Sequence, residues 1–296
     1  MHILELNNVT KHYKTITALN NVSFNVPEGS VYGILGPNGS GKTTLLGIIL
    51  DILKASSGDF KLLGKPADAE IRKQVGTLLE TPNFYHYLSA EKNLRIAAHI
   101  KGKGLNEIDN VLEKVNLLQR KQSKFSSYSL GMKQRLAIAS CLLGDPQVLI
   151  FDEPTNGLDP VGIAEIRELI KRLSTEGKTI IMASHLLDEV EKVCTHVAII
   201  KNGNLLTAGS VDEVLVADEI IEVSSQNLTE LENVLNKMGG FTSIKKQNNT
   251  LQLFYSNGDA DAAAINQYCF QNNIALNHLQ TKKKSLETKF LELTNK

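Results

Sequence analysis

The chain has 296 residues, 42% of them hydrophobic, which is enough for one large folded domain or a domain with a smaller companion. Lys plus Arg and Asp plus Glu are equal at 32 each, so no net positive field is available to hold nucleic acid or an anionic membrane by charge alone. No apolar run approaches the ~18 residues of a membrane span, and MHILELNNVT lacks the basic flank and apolar core of a signal peptide, so a soluble, cytosolic protein is expected.

In chain order, the first segment with chemistry in it is SVYGILGPNGSGKTTLLGIIL. An apolar strand, Val31 to Leu35, runs into Gly36, Pro37, Asn38, Gly39, Ser40, Gly41, Lys42, Thr43 and Thr44, and then into a helical apolar face of Leu45, Leu46, Ile48 and Ile49. This is G-x-x-x-x-G-K-[ST] in the strand–loop–helix setting the motif requires. Glycines let successive N–H groups wrap a polyphosphate, and the helix start adds partial positive charge. Lys42 is placed to reach the β- and γ-phosphates and Thr43 to offer its hydroxyl to Mg²⁺. A glycine-rich turn that binds nothing does not account for both flanks. The sequon Asn38-Gly-Ser40 therefore belongs to this loop and carries no glycosylation meaning.

VGTLLETPNF follows, a β-like run closed by Glu80, and a lone acid in that place is ordinarily a strand end meeting water. The aromatic residues Phe84, Tyr85 and Tyr87 come next; they suit the core of a helical segment and a docking surface equally well. Ser89 to Leu143 reads as mostly helical, with Gly102 and Gly104 breaking one helix and Asn106 a candidate cap for the next. VLIFDE, residues 148 to 153, is a strand buried on both faces that ends in two acids. Asp152 fits a Mg²⁺-site carboxylate and Glu153 a general base for an attacking water. A further buried strand, Thr179 to Ala183, ends at Ser184-His185, the end of a sheet strand where ligands sit in open α/β folds, which makes His185 a candidate γ-phosphate sensor.

Beyond residue 217 Asn and Gln become frequent. EIIEVS, LTELENVLNKM, FTSIKK, TLQLFY, DADAAAINQYCFQN, IALNHL and SLETKFLELT read as βαββαβα, the order of a small ferredoxin-like domain, with Lys282 to Lys284 as a solvated basic loop. The cysteines Cys141, Cys194 and Cys269 lack metal-ligand spacing and read as buried thiols in a reducing compartment.

GPNGSGKT, YSLGMKQRL (128 to 136), VLIFDEPTNGLD and the Ser184-His185 pair, in this order and spacing, resemble the ATP-binding subunit of an ABC transporter over roughly residues 1 to 215. The resemblance implies a P-loop NTPase core with a parallel sheet, an N-terminal antiparallel β subdomain and an inserted helical subdomain at about 81–145. It divides the chain into a nucleotide-binding domain, 1–217, and a C-terminal accessory α+β domain, 218–296. It further implies ATP and Mg²⁺ as cofactors and a homodimer in which Ser129 and Gly131 face ATP held by the other copy's phosphate loop. Tyr13 then stacks on adenine and Asp159 couples the two sites, in a loop completed by Asn156, Gly157 and Leu158. SLGMKQR departs from the family's LSGGQ-type pattern at Tyr128, Leu130, Met132 and Lys133 but keeps Ser129 and Gly131.

Glu80 aligns with a position where the family carries a Gln that reaches Mg²⁺ and the attacking water. That Glu, with the YSLGM signature, resembles the subgroup exporting or giving immunity to bacitracin and lantibiotic-type peptides. Ionised Glu has two acceptor oxygens and no donor, so it suits Mg²⁺ while adding charge near Glu153. The partners implied are a second copy and integral-membrane permease subunits, with no nucleic acid, and the location is the cytoplasmic face of the cell membrane. Two other readings compete: an ABC ATPase acting on nucleic acid or ribosomes, and a catalytically idle ATP-binding module. The first normally carries tandem cassettes or long coiled coils, and the second conflicts with intact Lys42, Asp152, Glu153 and His185.

Overall fold

The strands Val31–Leu35, Val148–Asp152 and Thr179–Ser184 are buried along their whole length, as unbroken apolar runs require of strands covered on both faces. In the computed structural model, which describes residues 1–66, 68–79, 82–216, 218–256, 260–283 and 286–294, they form the centre of a six-stranded sheet. Its order is Asn204–Ser210, His196–Lys201, Val31–Leu35, Thr179–Ser184, Val148–Asp152, Val75–Leu78. The pairings from His196–Lys201 across to Val75–Leu78 are parallel, so the carboxyl ends of these strands share one edge of the sheet. A second sheet is antiparallel and ordered Ile16–Pro27, His2–Tyr13, Ser57–Leu62, Lys65–Pro66. Both sheets close on one core that includes Leu4, Leu19, Ile34, Leu45, Ile49 and Ile150.

Between Val75–Leu78 and Val148–Asp152 the chain is helical. Helix Ala90–Lys101 is capped by Ser89, whose side chain accepts from the Lys92 N–H, and is stopped by Gly102 at φ 71°. Gly104, at φ 85°, starts the next turn earlier than the sequence predicts, so Asn106 lies inside a 3-10 turn, Leu105–Glu107. Helix Ile108–Lys114 begins on Glu107 without a side-chain cap. The helix Leu130–Leu142 is capped by Ser129 and leads back into the parallel sheet.

The chain divides into two compact units, Met1–Gly209 and Ser210–Lys296; the sequence-based division is after residue 217, which lies outside the described residues. In the second unit the strands run, in chain order, Asp218–Ser225, Ser243–Gln247, Thr250–Ser256 and Leu276–Lys283. The third and fourth flank the first, and the second lies outside the third, all antiparallel, which is the ferredoxin-like order. Helices Leu228–Met238 and Ala262–Gln271, capped by Asn227 and Asp261, set Leu231, Leu235, Ile265 and Cys269 against Ile221, Val223, Leu251 and Leu253. Lys282 is not in a loop: it sits on the last strand, paired with Ile220, and its ammonium lies 2.7 Å from Glu222, two residues further along the neighbouring strand. Lys284 lies outside the described residues.

All three cysteines are buried and free. Burial pushes the Cys141 thiol up to about 12 and raises Cys194 as well, which keeps both protonated and unreactive. No helix among the described residues is long and apolar enough to cross a membrane.

Candidate active site

The strand Val31–Leu35 delivers the chain into a loop that only glycine can build at two places. A Cβ on Gly36 would lie 2.3 Å from both the Ile200 carbonyl oxygen and Ser40 Oγ, and one on Gly41, at φ 111°, would lie 2.6 Å from the Ala18 carbonyl oxygen. The loop is thereby pressed onto its neighbours with its backbone turned to the opening. Ser40 Oγ is buried beneath it without a hydrogen-bond partner. Helix Lys42–Ile49 starts at Gly41 with no side-chain cap, leaving its first N–H groups for an anion at the positive end of the helix.

Asp152 and Glu153 from one strand end and His185 from another converge on Lys42 and Thr43 of this helix start. Lys42 is only 6% exposed; its ammonium donates to the Gly36 carbonyl at 2.9 Å and the Pro37 carbonyl at 3.4 Å, and lies 3.7 Å from Glu153 Oε1. Thr43 Oγ1 donates to Asp152 Oδ2 at 2.9 Å. Asp152 is buried at the end of its strand. Glu153 follows at φ 50°, its N–H donating to the Ala183 carbonyl at 3.0 Å. A non-glycine residue in that region costs on the order of 1–3 kcal/mol and is held only when its surroundings over-determine it. Here the turn swings the carboxylate off the strand so that one oxygen meets Lys42 and the other lies 2.9 Å from His185 Nδ1.

These groups open into a cleft of about 740 Å³ lined by Asn38, Gly39, Gly41, Lys42, Thr43, Thr44, Asp152 and Glu153. A nucleoside triphosphate fits it: the loop amides and Lys42 suit a polyphosphate, and Glu153 lies 3.7 Å from the Lys42 ammonium. A divalent cation also fits, because the Thr43 hydroxyl and the Asp152 carboxylate are hard oxygen donors already in contact.

Gly36, Pro37 and Ser40 form the underside of the loop and do not line the cleft. Tyr13 ends strand His2–Tyr13 with Lys11 Nζ 5.0 Å over its ring; the hairpin it opens continues into Ile16, Thr17 and Ala18, which line the cleft where Tyr13 does not. Ser129 and Gly131 start helix Leu130–Leu142, with Ser129 exposed and its Oγ accepting from the Met132 N–H at 3.3 Å. Asp159 caps helix Pro160–Thr175, accepting from the Gly162 N–H at 2.9 Å, and is exposed. Glu80 lies outside the described residues.

Leu130 and Gln134 of the signature segment SLGMKQR line the cleft as well, as do Asn202 and Ile16 to Ala18. No local signal in the sequence marks Asn202 or Ile16 to Ala18. They arrive through long-range contacts, such as the Asn20 N–H donating to the Gly203 carbonyl and the Gly203 N–H to the Ser40 carbonyl.

A second cleft, of about 660 Å³, lies between Thr77–Leu79, Pro82–Tyr85, the helix residues Asn93, Ile96, Ala97 and Ile100, and Ala137 and Ser140. The aromatic trio divides here. Phe84 packs edge-on to Phe125 with ring centroids 5.2 Å apart, whereas Tyr85 and Tyr87 are exposed.

Comparison with known proteins gives a match to the ABC transporter family profile over residues 19–156. The chain is 39% identical to the uncharacterized ABC transporter ATP-binding protein YhcH of Bacillus subtilis, across 99% of this chain and 96% of that one. It is 33% identical to the bacitracin transport ATP-binding protein BcrA of Enterococcus faecalis, again across 99% and 96%. The lantibiotic transport ATP-binding protein SrtF of Streptococcus pyogenes is 38% identical across 78% of this chain and 96% of its own. Among solved structures, cbiO1 from Clostridium perfringens superposes with a TM-score of 0.66 at 33% identity, covering 72% of this chain and 90% of that one. A dimeric ATP-binding cassette in a post-hydrolysis state with ADP and Pi gives 0.62 at 28% identity, covering 70% and 98%.

Proposed function

The chain belongs to the ABC transporter family as an ATP-binding, ATP-hydrolysing subunit, and from that premise we propose that it drives a separate membrane permease exporting a peptide antibiotic of the bacitracin or lantibiotic kind. The observation that carries the catalytic reading is the convergence of Thr43 on Asp152, and of Lys42 and His185 on the two oxygens of Glu153. The reading of the cargo rests on the bacitracin and lantibiotic transport relatives. A non-transport role on nucleic acid or ribosomes has no counterpart among them.

Lys42 and the loop amides hold and orient the β- and γ-phosphates, and Tyr13 offers a face to adenine. Thr43 and Asp152 would hold Mg²⁺, which draws charge off the phosphates when bound. Glu153 takes the proton of the attacking water, and His185 keeps the carboxylate turned toward it while reaching the γ-phosphate. Catalysis is mainly positional and electrostatic. Ser129, Gly131 and Asp159, on two exposed helix starts, face the other copy in an ATP-closed homodimer.

The cleft below Tyr85 receives the permease. Its walls set Leu79, Phe84, Ile96 and Ile100 beside the polar Thr77, Asn83 and Ser140; Ile100 on its wall and the neighbouring Tyr87 stand exposed at 82% and 69%, and exposed apolar side chains of this kind are where a partner docks. The subunit is then held at the cytoplasmic face of the membrane by that partner.

Expression of the subunit with its permease is expected to raise the bacitracin or lantibiotic concentration a sensitive host survives several-fold, and Glu153→Gln to abolish the gain. An unchanged tolerance to both classes would remove the cargo assignment while leaving the ATPase. From sequence, Glu80 replaces a Gln that touches Mg²⁺ and water. Glu80→Gln is expected to raise the ATPase of the assembled complex by about twofold and Glu80→Ala to lower it by about tenfold, the scale of one hydrogen-bonding group. Wild-type rates in both would make Glu80 a solvated strand-end acid.

A further inference from the structure

The helix that starts at Ser129 is anchored at its other end by a half-buried cation from a different helix. Lys101, the last residue of helix Ala90–Lys101, donates through Nζ to the carbonyls of Ser140 at 2.8 Å, Cys141 at 3.1 Å and Leu143 at 3.5 Å. These belong to the last turn and C-cap of helix Leu130–Leu142, where carbonyls have no intrahelical donor and the helix dipole favours a cation. Burial holds the Lys101 ammonium below the usual lysine value.

Two further contacts stiffen this end. A Cβ on Gly76 would lie 2.4 Å from the Cys141 carbonyl oxygen, so the strand Val75–Leu78 is in direct contact with the helix end. The Gly144 N–H donates to Glu107 Oε2 at 2.8 Å. Both helices also line the second cleft, through Ile96, Ala97 and Ile100 on one and Ala137 and Ser140 on the other.

We propose that Lys101 is a positioning residue that converts a shift of the cleft wall into a shift of Ser129, by tying helix Ala90–Lys101 to the C-terminal carbonyls of the helix Ser129 caps. The inference rests on the reading of that cleft as the permease site. The 13-residue helix Leu130–Leu142 is a rod of about 20 Å. A displacement at Ser140 is therefore delivered to Ser129 without requiring any contact between permease and nucleotide. An ammonium bonded to three carbonyls transmits both push and pull, which an apolar contact at the same place does not.

The test compares wild type, Lys101→Met and Lys101→Arg, each as the isolated full-length subunit and as the complex with its co-purified permease in proteoliposomes. Both variants are expected to hydrolyse ATP within about twofold of wild type as isolated subunits. In the complex, Lys101→Met is expected to lose about fivefold or more of the permease-dependent stimulation, and Lys101→Arg, which still donates to the carbonyls, to keep most of it. Full stimulation of Lys101→Met overturns the proposal and leaves the docking reading intact. A wild-type complex without any stimulation removes the docking reading and the proposal together. If Lys101→Met fails to fold, hydrogen exchange on the wild-type complex decides: permease binding is expected to change exchange at Gly144 and Asp145, and unchanged exchange there overturns the proposal.

Discussion

Glu153→Gln is expected to lower ATP hydrolysis by about 10²–10⁴-fold, the range for removing a positioned general base, while leaving ATP binding close to wild type. Gln has nearly the size and shape of Glu and can still meet Lys42 and His185, at 3.7 and 2.9 Å in the native protein, but it cannot accept the proton of the attacking water. The Lys42 ammonium and the loop amides, which hold the phosphates, are untouched. In free energy the loss is about 3–5.5 kcal/mol of transition-state stabilisation. Because ATP binds but is not consumed, the variant is expected to accumulate as an ATP-bound dimer on gel filtration, where wild type returns to monomer as ATP is spent. Single-turnover hydrolysis measures the rate directly. A rate within threefold of wild type would shift the base role to His185, whose imidazole meets that carboxylate.

The parts of this site legible in the sequence are those in which the chemistry and its support are neighbours along the chain. The loop from Gly36 to Thr43 carries its strand, its glycines and its helix in one segment, and the acids of VLIFDE end a strand whose burial is written in four apolar residues. What was not legible depends on pairing across the chain. Ala18 meets Gly41 because the antiparallel sheet folds back onto the loop, and no pattern near Ala18 announces it. The left-handed turn at Glu153 is set by a hydrogen bond to Ala183, thirty residues on. Lys282 read as part of a solvated run, yet Glu222 on the adjacent strand gives it a strand-face role. The departure at Tyr128 from the family signature also has a physical account: its ring is buried against Phe125, and its hydroxyl donates to the Arg120 carbonyl at 2.8 Å. A bulky residue is thus used to seat the start of the helix, and the exposed Ser129 that follows keeps its place.

Lys42→Met is expected to weaken ATP binding by about 100-fold, since a charge-assisted hydrogen bond contributes roughly 1.5–3 kcal/mol and the ammonium supplies more than one to the phosphates. Met keeps the length of the stem and loses the charge, so the packing of a residue that is 6% exposed is largely retained. The change removes the donor to the Gly36 and Pro37 carbonyls and the cation facing Glu153, but the loop is still held by the close approach of Gly36 to Ile200 and of Gly41 to Ala18. The fold should therefore survive, and the loss should appear in the ligand-dependent part of stability. At an ATP concentration of 100 times the wild-type Kd, binding stabilises the wild-type protein by about 2.7 kcal/mol and a variant with 100-fold weaker affinity by only about 0.4 kcal/mol. Thermal unfolding with and without ATP·Mg²⁺ measures the difference, and isothermal titration gives the affinity itself. An ATP-induced rise in Tm equal to that of wild type would mean that the loop amides and helix start bind the phosphates unaided. Lys42 would then act only once the γ-phosphate begins to leave.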